Sequence, residues 1–523
     1  MNRILWAAGM MVLASEALAA DSAPLSARID QQIEATWKAN GVTPAPLADD
    51  AEFLRRVYLD LAGRIPAVSE VRDFLADKSP DKRAKLVDQL LERPSYSQHF
   101  GSLWRREWLP QTVSNPQLQF VGVQFEPWIR DRLRENMPYD KIVRELLTAE
   151  PSGGVGRGQP FEPNAFGRAA FLQVNEMKPE NVAAAASRLF LGIKLECAQC
   201  HDHPFETYSR QQFWEFASFF AGLQPVNPRI GRAPAEAIEI RALTIPGLEK
   251  KVSAKFLDGK EPKFQEKISS RVTLMDWMSA KDNPYFARNA VNRMWANFFG
   301  VGIIDPLDEP GEKNPPSHPE LLNDLARSFA ASGYDLKYLI RAIVNSRTYQ
   351  RSSASTSAST NSAERTFSRM HVRGLTPQQL FDSLSLATGY RGDVPLAQRQ
   401  FVAPNTPRGE FLARFASTER LSDVQTSILQ ALTLMNSKFI GEMTSLNESK
   451  SELLAGVVAS PFFDTRQRIE TLYLATVSRF PREAELKKLI AYVDKGGATG
   501  DPNKALADVF WSLLNSSEFA FNH

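Results

Sequence analysis

The sequence predicts a mainly α protein, a multi-helix chain of two domains with a small β-rich module between the helical parts. Three observations carry this expectation. Apolar residues recur at three- and four-residue spacing through most of the chain, as at Phe53, Leu54, Val57 and Leu61 and again at Ile142, Val143, Leu146 and Leu147. Strand-like alternation is confined to one proline-punctuated stretch after Asn227. The 523 residues also exceed what one hydrophobic core usually serves.

Taken in order, residues 1–19 read as a signal peptide. Arg3 gives a positive start, Ile4 to Leu13 is an apolar run too short to span a bilayer, and Ala17-Leu18-Ala19 supplies the small residues of a cleavage site. The mature protein is therefore expected in the periplasm or secreted, with no transmembrane segment. An N-terminal helical domain follows over 20–226. Within it Ser79-Pro80-Asp81 starts a helix whose inner face is Ala84, Val87, Leu90 and Leu91, and Gly153 to Pro163 reads as a surface loop. Arg105-Arg106 and Arg130, Arg132 and Arg134 read as solvated helix faces. Pro179 opens a helix of small inward residues, Val182, Ala185, Ala186 and Leu189, against which a neighbouring helix or a flat porphyrin can come close, and Gly192 ends it. Arg210 to Ala221 is a helix rich in rings, Phe213, Trp214, Phe216, Phe219 and Phe220, which fits an aromatic core or a cofactor wall.

Residues 227–270 form the β-rich module, with Val252 to Leu257 running into a hairpin turn at Asp258-Gly259. The C-terminal helical domain spans 271–523. Asn283-Pro284 starts a helix that stops at Gly300, and Ser317 to Glu320 has capping-box spacing before another. Ser352 to Ser362 reads as a Ser/Thr-rich loop. His371 to Thr388, Leu421 to Met435, and the pair Arg468 to Asp494 and Leu506 to Phe521 read as helices. Lysine and arginine exceed the acids by only two, so no nucleic-acid partner is expected.

The chemistry concentrates in Cys197-Ala198-Gln199-Cys200-His201-Asp202-His203. These are the only two cysteines in the chain, three apart, with a histidine directly behind the second. Four chemistries fit. Covalent haem c attachment uses both thiols as thioether sites and His201 as the axial iron ligand. A zinc or copper site would use Cys197, Cys200 and His201 or His203. The pair can also cycle between dithiol and disulfide, or simply staple a turn. Asp202 is placed to orient His201, and His318, on an exposed loop, is a candidate distal ligand alongside His371 and Met435. His99 reads as a structural histidine. No serine-histidine-acid spacing stands out, so no catalytic residue is assigned.

Leu54 to Gly63, Met137 to Asp140 and above all Cys197 to Phe205 resemble the domain of unknown function 1549, also called planctomycete cytochrome-type. Asn283 to Arg288, Asn292 to Trp295, Pro316 to Leu322 and Asn515 to Phe519 are similar to its usual companion, domain 1553. The resemblance implies an exported bacterial protein of two fused domains without assigned activity, with another exported protein of unknown function as its partner. It implies Cys197 and Cys200 as thioether sites and His201 as the axial ligand. The expected function is that of an exported c-type-cytochrome-like protein in electron transfer. The competing expectation is a zinc, copper or disulfide-stabilised scaffold without catalysis.

Overall fold

The computed structural model describes residues 25–152, 165–204, 206–225, 234–309, 311, 314–354, 365–392, 406–415, 438–446 and 450–523. The expected signal peptide, the loop from Gly153, the helix from Leu421 and Met435 lie outside these residues. So does most of the Ser/Thr-rich loop.

The protein is mainly helical. In chain order come α1 over 25–40, α2 Asp50–Ala62, α3 Val68–Ala76, α4 Lys82–Glu92, α5 Pro94–Trp108, α6 Gln111–Ser114, α7 Gln119–Arg134, α8 Tyr139–Leu147, α9 Ala165–Val174, α10 Pro179–Ala186 and α11 Arg210–Ala217. After these come α12 Ser270–Met278, α13 Phe286–Phe299, α14 Pro319–Ala331, α15 Leu336–Val344, α16 Pro377–Thr388 and α17 Pro407–Arg414. Among the described residues strands occur only as antiparallel pairs: β1 Leu223–Gln224 with β2 Ala235–Glu236, β3 Ala242–Thr244 with β4 Lys251–Ser253, and β5 Arg373–Gly374 with β6 Phe521–Asn522. No helix among the described residues is long and apolar enough to cross a membrane.

The chain forms two compact units that interleave in sequence. The first holds the described part of Met1–Thr36 with Phe100–Ala296 and Val301–Ile343. Its core includes the predicted α8 stripe, Ile142, Val143, Leu146 and Leu147, all fully buried. α10 packs on α11 and on the turn after it, and its small residues Val182, Ala185 and Ala186 are buried. In the turn after α11, Phe219 stacks on Phe256 at 5.1 Å, and Phe256 on Trp277 at 5.0 Å. Arg271 fastens the β-rich stretch to this unit by pairing with Glu236 and donating to the carbonyls of Leu147 and Ala149. The basic clusters are not freely solvated faces. Arg105 and Arg130 share Glu126, and Arg132 pairs with Glu145.

The hairpin sits earlier than the strongest turn signal suggests. β3 and β4 pair as Ala242 with Ser253 and Thr244 with Lys251, around a turn at Pro246-Gly247. Asp258-Gly259 is a turn that joins no strand pair, because Val252 already spends its pairing on Leu243. Ile238-Glu239-Ile240 is likewise not a strand.

The second unit holds Trp37–His99, Asn297–Gly300 and the described part of Val344–His523. In α2 not only Phe53, Leu54, Val57 and Leu61 but also Arg55, Arg56 and Asp60 are buried. The β5–β6 pairing sets Arg373 opposite Asn522, and both side chains reach the Asp60 carboxylate. Several expected boundaries move for local reasons. α4 starts at Lys82 because the Ser79 hydroxyl donates to Asp77, and Leu86 rather than Ala84 joins its buried face. α16 starts at Pro377, behind Thr376 as its cap. Pro481 and its neighbours split the expected Arg468 to Asp494 helix into Thr465–Thr476 and Glu483–Asp494. Ser352 is buried and donates to Glu52, so the Ser/Thr-rich loop is anchored at its start.

Gly63 ends α2 with φ at 68°, and a Cβ there would come 2.5 Å from Nδ1 of the half-buried His99. Gly63→Ala is therefore expected to lower the stability of this unit by about 2 kcal/mol or more, of which the left-handed backbone supplies about 1–2 kcal/mol. Urea denaturation checks it. In a His99→Ala background only the backbone part should remain.

Candidate haem-attachment site

The chain enters the site through α10, whose last turn widens over Ser187–Leu191 and stops at Gly192, φ 71°. A Cβ at Gly192 would lie 2.7 Å from Asn289 Oδ1, so only glycine makes this reversal. A 3-10 turn over Leu195–Gln199 follows. In such a turn residues three apart eclipse one another. Leu195 and Ala198 share one face and are fully buried, which pins the turn to the core. Cys197 lies within the turn and Cys200 caps its end, half-buried and exposed respectively, and both thiols are free.

Behind Cys200, His201 is exposed and its Nδ1 lies 2.7 Å from the carbonyl oxygen of Asp202. A carbonyl only accepts, so Nδ1 carries the hydrogen and Nε2 keeps its lone pair, with no partner among the described residues. His203 is arranged the other way. Its Nδ1 accepts from the backbone N–H of Glu206 at 2.9 Å, so the neutral ring carries its hydrogen on Nε2. Asp202 orients His201 through its main chain. Its carboxylate accepts from the backbone N–H of Arg210 at 2.7 Å.

Arg210 and Trp214, both on α11, were invisible as site residues in the sequence because nothing links them to the motif except proximity in the chain. Arg210 Nε donates to the Gln199 carbonyl at 3.3 Å, its Nη2 to the Pro246 carbonyl at 2.6 Å, and Trp214 Nε1 to the same Gln199 oxygen at 3.1 Å. Ion pairs surround the turn: Arg188 with Glu196 at 3.0 Å and Lys194 with Glu309 at 3.1 Å. Burial, with the nearby Asp308, holds the Glu196 carboxyl above the usual range, whereas the Glu309 bond raises Lys194. Below them Arg293, itself buried, pairs with Glu107 and Asp308 and donates to the Arg188 carbonyl.

His318 is not the exposed-loop histidine the sequence suggests. It is 5 % exposed at the N-terminal boundary of α14, its Nδ1 3.0 Å from the Ser317 hydroxyl. The capping box is absent too, because Ser317 Oγ donates to the Ile303 carbonyl instead. The structure therefore brings Cys197, Cys200, His201 and Asp202 into one turn and places His318 in a buried cap. His371 belongs to the second compact unit, just ahead of β5. The donor set fits covalent haem: two free thiols three residues apart, and directly behind them an imidazole whose hydrogen-bonded nitrogen leaves the other for iron. Among the described residues no group of three or more histidine, cysteine, aspartate or glutamate side chains converges as a metal cage, so zinc or copper would need the loop to close round it.

Two family models match the chain. One, PSCyt2, is described as a protein of unknown function (DUF1549) and covers residues 28–225, which includes the motif. The other, PSD1, a protein of unknown function (DUF1553), covers residues 270–410 and so stops short of Asn515 to Phe519. The β3–β4 hairpin falls between the two matches. No curated protein and no solved structure matches. The chain thus carries a match to the DUF1549 (PSCyt2) model that holds the motif, followed by a match to the DUF1553 (PSD1) model.

Proposed function

We propose that this is an exported protein that carries haem c covalently through Cys197, Cys200 and His201 and serves in electron transfer. The observation that carries the reading is the His201 ring, tied through Nδ1 to the Asp202 carbonyl, directly behind two free thiols, one within a 3-10 turn and one at its end. Each thiol would add across a vinyl group, forming a carbon–sulfur bond while its hydrogen goes to the neighbouring carbon, so no further oxidant is needed. Haem supplies one-electron chemistry when bound. His201 would hold the iron through Nε2, with the Asp202 carbonyl raising the basicity of the ring. His203, whose Nδ1 is already an acceptor, takes no part in this reading.

Export is supported by residues 1–19 and by the chemistry, since haem attachment requires an export-side assembly system. The partner in this reading is another exported protein of unknown function. The test is the mass of the denatured protein after expression with its leader in a host that matures c-type cytochromes. A chain heavier by one haem, stained on a denaturing gel, is the expected result, and Cys197→Ser with Cys200→Ser should abolish it. A colourless chain at the apo mass that loses zinc or copper on denaturation would replace haem with a metal site. A chain two hydrogens lighter would replace it with a disulfide-stapled scaffold.

A further inference from the structure

We infer that Arg210 is a positioning residue that sets the attachment turn before any ligand arrives, an inference that rests on the haem reading only for what the turn finally holds. Arg210 occupies the first position of α11, behind Ser209 and its capping box with Gln212. A cation there opposes the helix dipole, at a cost of about 0.3–1 kcal/mol. Helix formation alone therefore does not account for arginine at this place.

Its contacts do. The guanidinium goes to two main-chain carbonyls, Gln199 at 3.3 Å and Pro246 at 2.6 Å, and to no carboxylate among the described residues. Its backbone N–H meets the Asp202 carboxylate. Gln199 lies between the two cysteines, and its carbonyl belongs to the peptide plane that leads into Cys200, so holding that oxygen holds the plane. Trp214 grips the same oxygen from one turn further along α11. Residues 199 and 202 are thus fixed on either side of Cys200 and His201, which leaves the Asp202 carbonyl aimed at His201 Nδ1. Through Pro246 the same side chain ties the turn to the β3–β4 hairpin, which lies between the two family matches. One arginine therefore joins the attachment turn, the head of α11 and the hairpin tip.

The test reads two quantities in Arg210→Gln and Arg210→Lys. The first is the His201 tautomer in the apoprotein, from long-range proton–nitrogen correlation of histidine-labelled protein at about pH 8, where the free ring is neutral. The second is the fraction of chains that take up haem in the maturing host. Wild-type His201 is expected as a single Nδ1–H tautomer. Arg210→Gln should show both tautomers and load about five-fold less haem, the equivalent of one lost neutral hydrogen bond. Wild-type tautomer and loading in a normally melting Arg210→Gln would overturn the inference. Should that variant fail to melt cooperatively, Arg210→Lys decides: it keeps the charge but replaces the planar fork, whose separate Nε and Nη2 reach the two carbonyls, with a single nitrogen, so mixed tautomers are expected and a wild-type spectrum sinks the idea. If no form takes haem while the variants scramble the tautomer, the positioning role stands and the haem reading falls.

Discussion

Asp60→Ala is expected to destabilise the second compact unit by about 3–5 kcal/mol, the range for removing one partner of a buried ion pair. The carboxylate is 6 % exposed and accepts four hydrogen bonds: two from Arg373 at 2.9 Å and 2.9 Å, one from Tyr349 at 2.7 Å and one from Asn522 at 2.7 Å. Removing it leaves the Arg373 guanidinium buried and uncompensated, with the cation of Arg56 above the Tyr349 ring at 5.6 Å to add repulsion. The Tyr349 hydroxyl, which burial and the Asp60 charge hold well above its ordinary pKa, loses its acceptor and remains unionised and unsatisfied. Asp60→Asn should cost nearly as much. An amide offers one acceptor oxygen where the carboxylate offers two, and its nitrogen would face donors. Asp60→Leu combined with Arg373→Met should recover only the part due to the uncompensated guanidinium, since the Tyr349 hydroxyl and the Asn522 amide still lack their acceptor. Urea denaturation followed by circular dichroism reads all four proteins. A loss under 1 kcal/mol in Asp60→Ala would mean that water reaches this cluster and that it does not hold the unit together.

This cluster also shows where sequence patterns stop informing. The periodicity that identifies α2 marks Phe53, Leu54, Val57 and Leu61 as core and has nothing to say of the charges among them, Arg55, Arg56 and Asp60. All seven are buried, because the charges find partners hundreds of residues later, Arg55 in the carbonyls of Thr476 and Phe519, Arg56 in those of Tyr349 and His523. A binary code has no term for a partner so distant. The α8 stripe and the glycine stop at Gly192 were legible because their causes are local. The hairpin was misplaced for the opposite reason: Asp258-Gly259 is the better turn dipeptide, yet pairing between Leu243 and Val252 decides the register. At the site, cysteine spacing announced the chemistry, but not that the backbone of Asp202 rather than its carboxylate would meet His201. That choice belongs to the conformation of the turn, and the turn is set by Arg210 and Trp214.

Acid should weaken the second unit through His99 well before its carboxylates titrate. The ring hydrogen-bonds the backbone of Asp60, one of the carbonyls left without an intrahelical partner in the last turn of α2. A charged imidazole would suit that helix end, yet burial disfavours the charge more strongly and the nearby Arg373 adds to it, so the pKa falls to about 4. In the unfolded chain the ring titrates at about 6.5. Between those two values the unfolded state binds a proton that the folded state refuses, so stability falls as pH drops from about 6.5 to about 4, and this group adds nothing further below that. The full shift corresponds to about 3 kcal/mol, and the half-buried ring lowers the expected loss to about 1.5–3 kcal/mol. Burial also pulls His523 of the same unit downward, so it contributes with the same sign. The comparison that isolates His99 is therefore the difference between wild type and His99→Gln, which keeps a donor for the Asp60 carbonyl and cannot be protonated. Measured by urea denaturation at several pH values, the two stabilities should converge towards about pH 4, with the wild type losing more on the way down. Parallel curves across that window would show that the imidazole is solvated in the folded state and titrates as it does in the unfolded one.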